Sequence, residues 1–182
     1  MMLASLGRAL ALALFAAAPL PAMAHSLPGS QLTLTQRSES MQITLRLALD
    51  DLAHVLPEVA PLAEAPLGPV PQGYQAQMQG YFAKHIAFSV GQTALPLTLT
   101  QALLQQASND HVGAFKQLEI TFTAPLEQGT DAPLALSYDA IMHEIRSHRA
   151  AIYQDSGETT PIGLVEFGYD FETGKARRIP LP

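Results

Sequence analysis

Not one of the 182 residues is a cysteine. That excludes disulfides, thiolate metal sites and cysteine nucleophiles together. Tryptophan is missing too, and charged residues make up only 14% of the chain. Positive charge is the scarcer sign, with 10 Lys and Arg against 16 Asp and Glu, for a net charge of −6. A phosphate-binding surface needs clustered cations, so nucleic acid is not an expected partner. What the chain does have is apolar material, 48% of its residues. That suffices for a core and is too much for a disordered segment, and the length suits a single domain.

The N-terminal 24 residues read as an address. Arg8 is the only charge before an unbroken apolar run from Ala9 to Ala18, and Pro19 and Pro21 then break any helix. Ala22-Met23-Ala24 supplies the small residues that signal peptidase accepts, so residues 1–24 are expected to be a secretory signal peptide cut before His25. The run is shorter than the roughly 20 residues that span a bilayer. No later segment approaches that length, so the processed chain is expected to carry no membrane span and to be periplasmic.

Residues 25–182 are expected to form one domain built mainly of strands. Leu32 and Leu34 alternate with polar residues, and so do Met41, Ile43, Leu45 and Leu47 beyond Ser38-Glu39-Ser40, the pattern of a hairpin with one buried face. Further alternation runs through 86–90, 95–99, 115–123, 134–138, 150–153 and 162–167. Tyr74, Met78, Tyr81, Phe82 and His85 fall at helical spacing and mark one short helix, with a helical turn expected near Asp50–Leu56. Five prolines between 57 and 71 predict an extended surface loop, and residues 170–182 a loose tail. Seven or so short strands with turn signals between them favour an immunoglobulin-like antiparallel β-sandwich with minor helix.

The order of these segments carries a resemblance. His25-Ser26 after the leader, the strands ending in LALDDL, and the stretches YFAKHIAFSVGQTALPLTL, HVGAFKQLEITFTAP and LALSYDAIMHEIRSHRAAIY resemble the extracytoplasmic N-terminal domain of HupE/UreJ-type membrane proteins. The similarity spans most of residues 25–153 and includes the pair His148-Arg149. It implies a β-sandwich outside the cytoplasmic membrane, in proteins associated with uptake of nickel or related metals. Relatives of that kind continue into a multi-helix membrane portion and often carry a cysteine pair and an acidic calcium-loop-like insertion. This sequence has a proline-rich stretch at that place and no cysteine, and transport itself is not implied for it.

Chemistry has to come from the six histidines and the carboxylates. Cleavage before His25 gives one residue both an α-amino group and an imidazole, a chelating pair for Ni(II) or Cu(II), with a third histidine completing a brace. The other reading is a frayed terminus. His143-Glu144-Ile145-Arg146-Ser147-His148 is one residue longer than the zincin HExxH. At i and i+5 two imidazoles do not share a helix face, and on a strand they point to opposite sides. They meet over a metal only if the segment turns; otherwise His148-Arg149 opens the next strand with local hydrogen bonds. Asp50-Asp51 suits a helix N-terminus, while Asp139, Glu144 and Asp155 are ion-pair candidates for Arg146 and Arg149. No GxSxG, GxGxxG, P-loop or EF-hand pattern occurs.

The expectation is therefore a non-catalytic accessory or binding module with His25, His143 and His148 as metal ligands. Its partner would be an inner-membrane transporter or another periplasmic protein. The alternative is a metal-free structural or interaction domain that docks onto a membrane partner.

Overall fold

The computed structural model describes residues 29–127, 132–155, 159–166, 169–170 and 175–182. The signal-peptide reading and His25 fall outside them. Within them the chain is mostly β, in two main sheets and a separate two-stranded pair. Strand β1 (Ser30–Gln36) pairs with β2 (Ser40–Ala48) as the expected hairpin. Helix α1 (Leu49–Val55) follows, then a 3-10 helix (Pro57–Ala63), the two-residue β3 (Gly68–Pro69) and helix α2 (Gln72–His85). Strands β4 (Ile86–Val90), β5 (Thr93–Leu95), β6 (Thr98–Asn109), β7 (Gly113–Pro125) and β8 (Leu134–Tyr138) come next. The chain closes with β9 (Arg149–Gln154), β10 (Gly163–Glu166), β11 (Tyr169–Asp170), β12 (Lys175–Ala176) and β13 (Arg178–Pro180).

The larger sheet has the order β10-β9-β1-β2-β7-β6-β3 and the smaller β13-β8-β4-β5. All pairings are antiparallel except β1 with β9, which run parallel with Ser30 opposite Ala150. That pair corrects the wholly antiparallel expectation. Leu32, Ile43, Leu45, Leu47, Leu118, Ile120 and Phe122 of the larger sheet are buried in the same apolar cluster as Ile86, Phe88, Leu136 and Tyr138 of the smaller one. Met78 and Phe82 of α2 and Leu49 and Leu52 of α1 complete it.

The proline-rich segment is not an extended loop. Pro57 sits at the start of the 3-10 helix, where a missing N–H is no loss, and Val59 and Leu62 are buried. Lys116 Nζ donates to the carbonyls of Ala63 and Ala65 at 2.6 Å each, satisfying the helix's C-terminal end. Val70 is buried and its N–H bonds the Ala102 carbonyl. Prolines spaced by apolar residues thus build a compact structure with an inward face, which a count of prolines does not show. Nor are the last residues loose: β13 pairs with β8, and Leu181 N–H reaches the Leu134 carbonyl. Residues 171–174 of that predicted tail lie outside the described ones.

Helix α2 ends at His85, so whatever fixes the helix also fixes that imidazole. Gln75 Nε2 donates to the Val70 carbonyl, while Gln79 donates to Leu97 O and accepts from Leu99 N–H. Gln79 thus fixes the helix to the β5–β6 connection and Gln75 to the segment just before the helix, while Met78 and Phe82 fix its rotation.

At the start of the parallel pair, Gly29 lies against the strand opening β9. A methyl group built on Gly29 would run into the Arg149 carbonyl oxygen, which belongs to rigid backbone. Gly29→Ala is expected to destabilise the protein by about 1–3 kcal/mol, seen as a melting temperature lower by several degrees with the fold otherwise retained by circular dichroism.

Candidate metal centre

Strand β8 delivers two adjacent polar residues to opposite sides. Tyr138 points into the core, and Asp139 leaves the strand toward the end of α2. Asp139 N–H bonds the His85 carbonyl at 3.0 Å, which joins the two elements through backbone. A turn then runs from Ala140 to Ile145. Ile141 sits in it at φ 71°, a left-handed conformation that a β-branched residue adopts only under constraint. The constraints are visible: its side chain is fully buried, its N–H donates to Tyr81 Oη at 2.8 Å, and its carbonyl accepts from Glu144 and Ile145 N–H. This turn brings residue 143 back over residue 139.

The outcome is a group of three donors. Asp139 Oδ1 lies 2.9 Å from His85 Nδ1, and Asp139 Oδ2 lies 3.0 Å from His143 Nε2. The ligand atoms of all three residues fall within 4.8 Å of one another. Asp139 forms the floor with its side chain 8% exposed, His85 is 22% exposed, and His143 reaches solvent at 37%. Burial pushes the Asp139 carboxyl up, but hydrogen bonds and charge from His85 and His143 outweigh it, so the group sits below the ordinary carboxylate range. The ring of Tyr81 lies against His85 at a centroid distance of 4.5 Å. Burial pushes the Tyr81 hydroxyl up to about 12, partly offset by the Ile141 N–H, while Glu144 and Asp139 add to the rise. Tyr81 is thus a neutral wall. The C-terminal end of the 14-residue α2 also favours positive charge at this place.

Two imidazoles and one carboxylate are the donor set of many zinc and non-haem iron sites, and they suit nickel and copper as well. They do not suit calcium, which takes six to eight oxygens. Metal–nitrogen bonds of about 2 Å require donors somewhat farther apart than hydrogen-bonded ones. An ion here would therefore replace the two N–H···O contacts, with each imidazole proton moving to its other ring nitrogen.

A second polar group lies behind the first. His148 Nδ1 is 3.3 Å from Asp51 Oδ2, and its Nε2 is 2.8 Å from Ser30 Oγ, which accepts the Tyr138 hydroxyl at 2.6 Å. The order Asp51–His148–Ser30 matches that of a hydrolase triad. Access does not: Ser30 is 2% exposed, the His148 side chain likewise 2%, and Tyr138 fully buried. With Tyr138 on the hydroxyl, no face of Ser30 is left for a substrate. The group is a buried tie, and every member has a partner, in keeping with the absence of unpartnered buried side-chain N or O among the described residues.

The candidate residues from the sequence thus separate. His143 belongs to the three-donor group, and His148 to the tie, where its side-chain bonds are long-range while its N–H makes the expected local bond, to the Ile145 carbonyl. Arg149 pairs with Glu166, and Asp139 with the two histidines rather than with an arginine. His85 and Asp139 are the members of the group that sequence reasoning misses as candidate ligands. The i, i+4 spacing of Asp139 and His143 is the available signal, and the more conspicuous i, i+5 pair of histidines obscures it. In the sequence His85 reads only as part of an apolar helix face.

Two outcomes are expected. Asp139→Asn should lower stability by about 1–3 kcal/mol at neutral pH in the metal-free protein, the range for hydrogen bonds to a charged group. Because the folded carboxyl lies below its unfolded value, this contribution is present above the ordinary carboxylate range and is lost as pH falls through the folded value. Urea unfolding of parent and variant across pH should therefore show the gap closing only in acid. In the tie, Ser30→Ala leaves both His148 Nε2 and the Tyr138 hydroxyl without this partner, whereas Tyr138→Phe leaves Ser30 still bonded to His148. Ser30→Ala should cost about 1–3 kcal/mol and Tyr138→Phe clearly less, measured by the same unfolding curves.

No protein-family model matches this chain, and no curated protein matches it closely enough to count as a relative.

Proposed function

We propose that this protein is an exported, non-catalytic module that binds a first-row divalent transition-metal ion through His85, Asp139 and His143, within a nickel- or copper-handling system. The observation that carries the reading is the convergence of the three ligand atoms within 4.8 Å. The donors are nitrogen and oxygen in a chain without a single thiol, and they come from a helix end and a constrained turn rather than from mobile surface chain. Export is supported by the apolar run and Ala22-Met23-Ala24. Among the described residues no helix is long and apolar enough to cross a membrane. Two antiparallel-rich sheets that share one core support an immunoglobulin-like sandwich, and the segment resemblance to HupE/UreJ extracytoplasmic domains supports metal handling beside an inner-membrane partner.

A metal-free docking role is the second reading. It is favoured by an apolar hollow of about 710 Å³ lined by Val90, Leu95, Pro125 and Leu126 next to β5, an edge strand of the smaller sheet.

Calorimetric titration of the chain beginning at His25 with Ni(II) and Cu(II) separates the possibilities. His85→Ala and His143→Ala should each weaken binding at least tenfold, about 1.4 kcal/mol. His25→Ala should leave it unchanged. His148→Gln should also leave affinity unchanged while lowering the melting temperature by a few degrees, as expected for about 1 kcal/mol. Loss of binding in His25→Ala with retention in His85→Ala would move the ion to the terminal brace, and no binding by the parent would leave the docking reading.

A further inference from the structure

Resting on that metal reading, we infer that the ion held by His85, Asp139 and His143 keeps a coordination position for a small anionic donor from outside the chain. Three protein donors are available, and among the described residues no fourth histidine or carboxylate joins the group. Of the nearby candidates, the Glu144 carboxylate is felt at Tyr81 but stands outside the group of three, and the others are engaged elsewhere. His148 and Asp51 bond each other and Ser30, and Tyr81 Oη receives the Ile141 N–H. First-row divalent ions with imidazole and carboxylate ligands take at least four donors, and three-donor protein sites complete the set with water or substrate.

The three donors also do not surround the ion evenly. Asp139 and His143 come from one turn at i, i+4, and His85 comes from the helix end bonded to that turn. Exposure rises from Asp139 through His85 to His143. The protein thus supplies a buried floor and two walls, and the open position lies on the side where His143 meets solvent. Exchange there is simple substitution: a metal–oxygen bond to water breaks as a bond from the anion forms, with no change in oxidation state. An incoming ligand can bind at such a position before any protein ligand leaves.

Cobalt(II) is the probe, because its visible absorption reports both ligand number and ligand exchange, and azide is the small anion. The parent chain should develop a Co(II) band that His85→Ala loses and that His111→Ala, a change at an exposed histidine of the β6–β7 turn, retains. Azide should then shift the band of the parent saturably, with one equivalent of ion. A band that forms but ignores azide would overturn the open position, since Asp139 binding through both oxygens would have closed the set, and would leave the metal reading standing. An azide-sensitive band that persists in His85→Ala would place the ion elsewhere and overturn the inference. No band in the parent would remove the metal reading and this inference with it.

Discussion

The Ser30 hydroxyl is where the molecule is tied together. It receives the Tyr138 hydroxyl from the smaller sheet and meets the His148 ring at the start of β9, while His148 in turn holds Asp51 on α1. Tyr138 and Ser30 lie in different sheets, so the bond between them fixes how one sheet sits on the other at this end of the core. Ser30 also opens the parallel pair, and Gly29 beside it allows β1 to come close to the Arg149 backbone. Burial pushes the Tyr138 hydroxyl well up, so it stays a neutral donor under all ordinary conditions. A polar chain of this sort inside an apolar core is stable only when complete, and this one is.

That tie and the three-donor group are two sides of one stretch of chain. Residues 138 and 139 are neighbours, the chain stays buried through Met142, surfaces at His143 and returns to the core at 148. What holds Tyr138 and His148 in the core therefore also holds the buried Asp139 beneath the solvent-reaching His143. The strained Ile141 lies between the two, and a left-handed non-glycine residue of this kind costs of order 1–3 kcal/mol. Its burial and its backbone hydrogen bonds offset that cost, and the return they secure is the superposition of residue 143 on residue 139. The donors are set by the core rather than by the loop that carries two of them.

Most strands were legible in the sequence because each has one buried and one wetter face, and period-two alternation records that directly. β2 is the clear case, with Met41, Ile43, Leu45 and Leu47 buried in alternation. The helix ending at His85 was legible from Met78 and Phe82 for the same reason. Pairing was not, because a parallel partner 120 residues away, Ala150 opposite Ser30, leaves no trace in local pattern. The proline-rich segment misled, since its inward residues Val59 and Leu62 follow a 3-10 period hidden among prolines. Of the site, His143 was visible as a candidate. Its partner His85 was not, because 54 residues separate it from Asp139 and only the fold brings the two together.

The parallel pairing of β1 with β9 also governs how the chain can reach this state. β1 forms its hairpin with β2 early, but its other edge waits for residues near 150, and β8 waits for Arg178–Pro180. Closing contacts of such long sequence separation places a protein among slow-folding topologies. The hairpin can form while the chain is still emerging, yet both sheets acquire their last strands from its C-terminal third. A chain of this design spends its synthesis without a finished core, and it commits to its native structure only when nearly all of it is present.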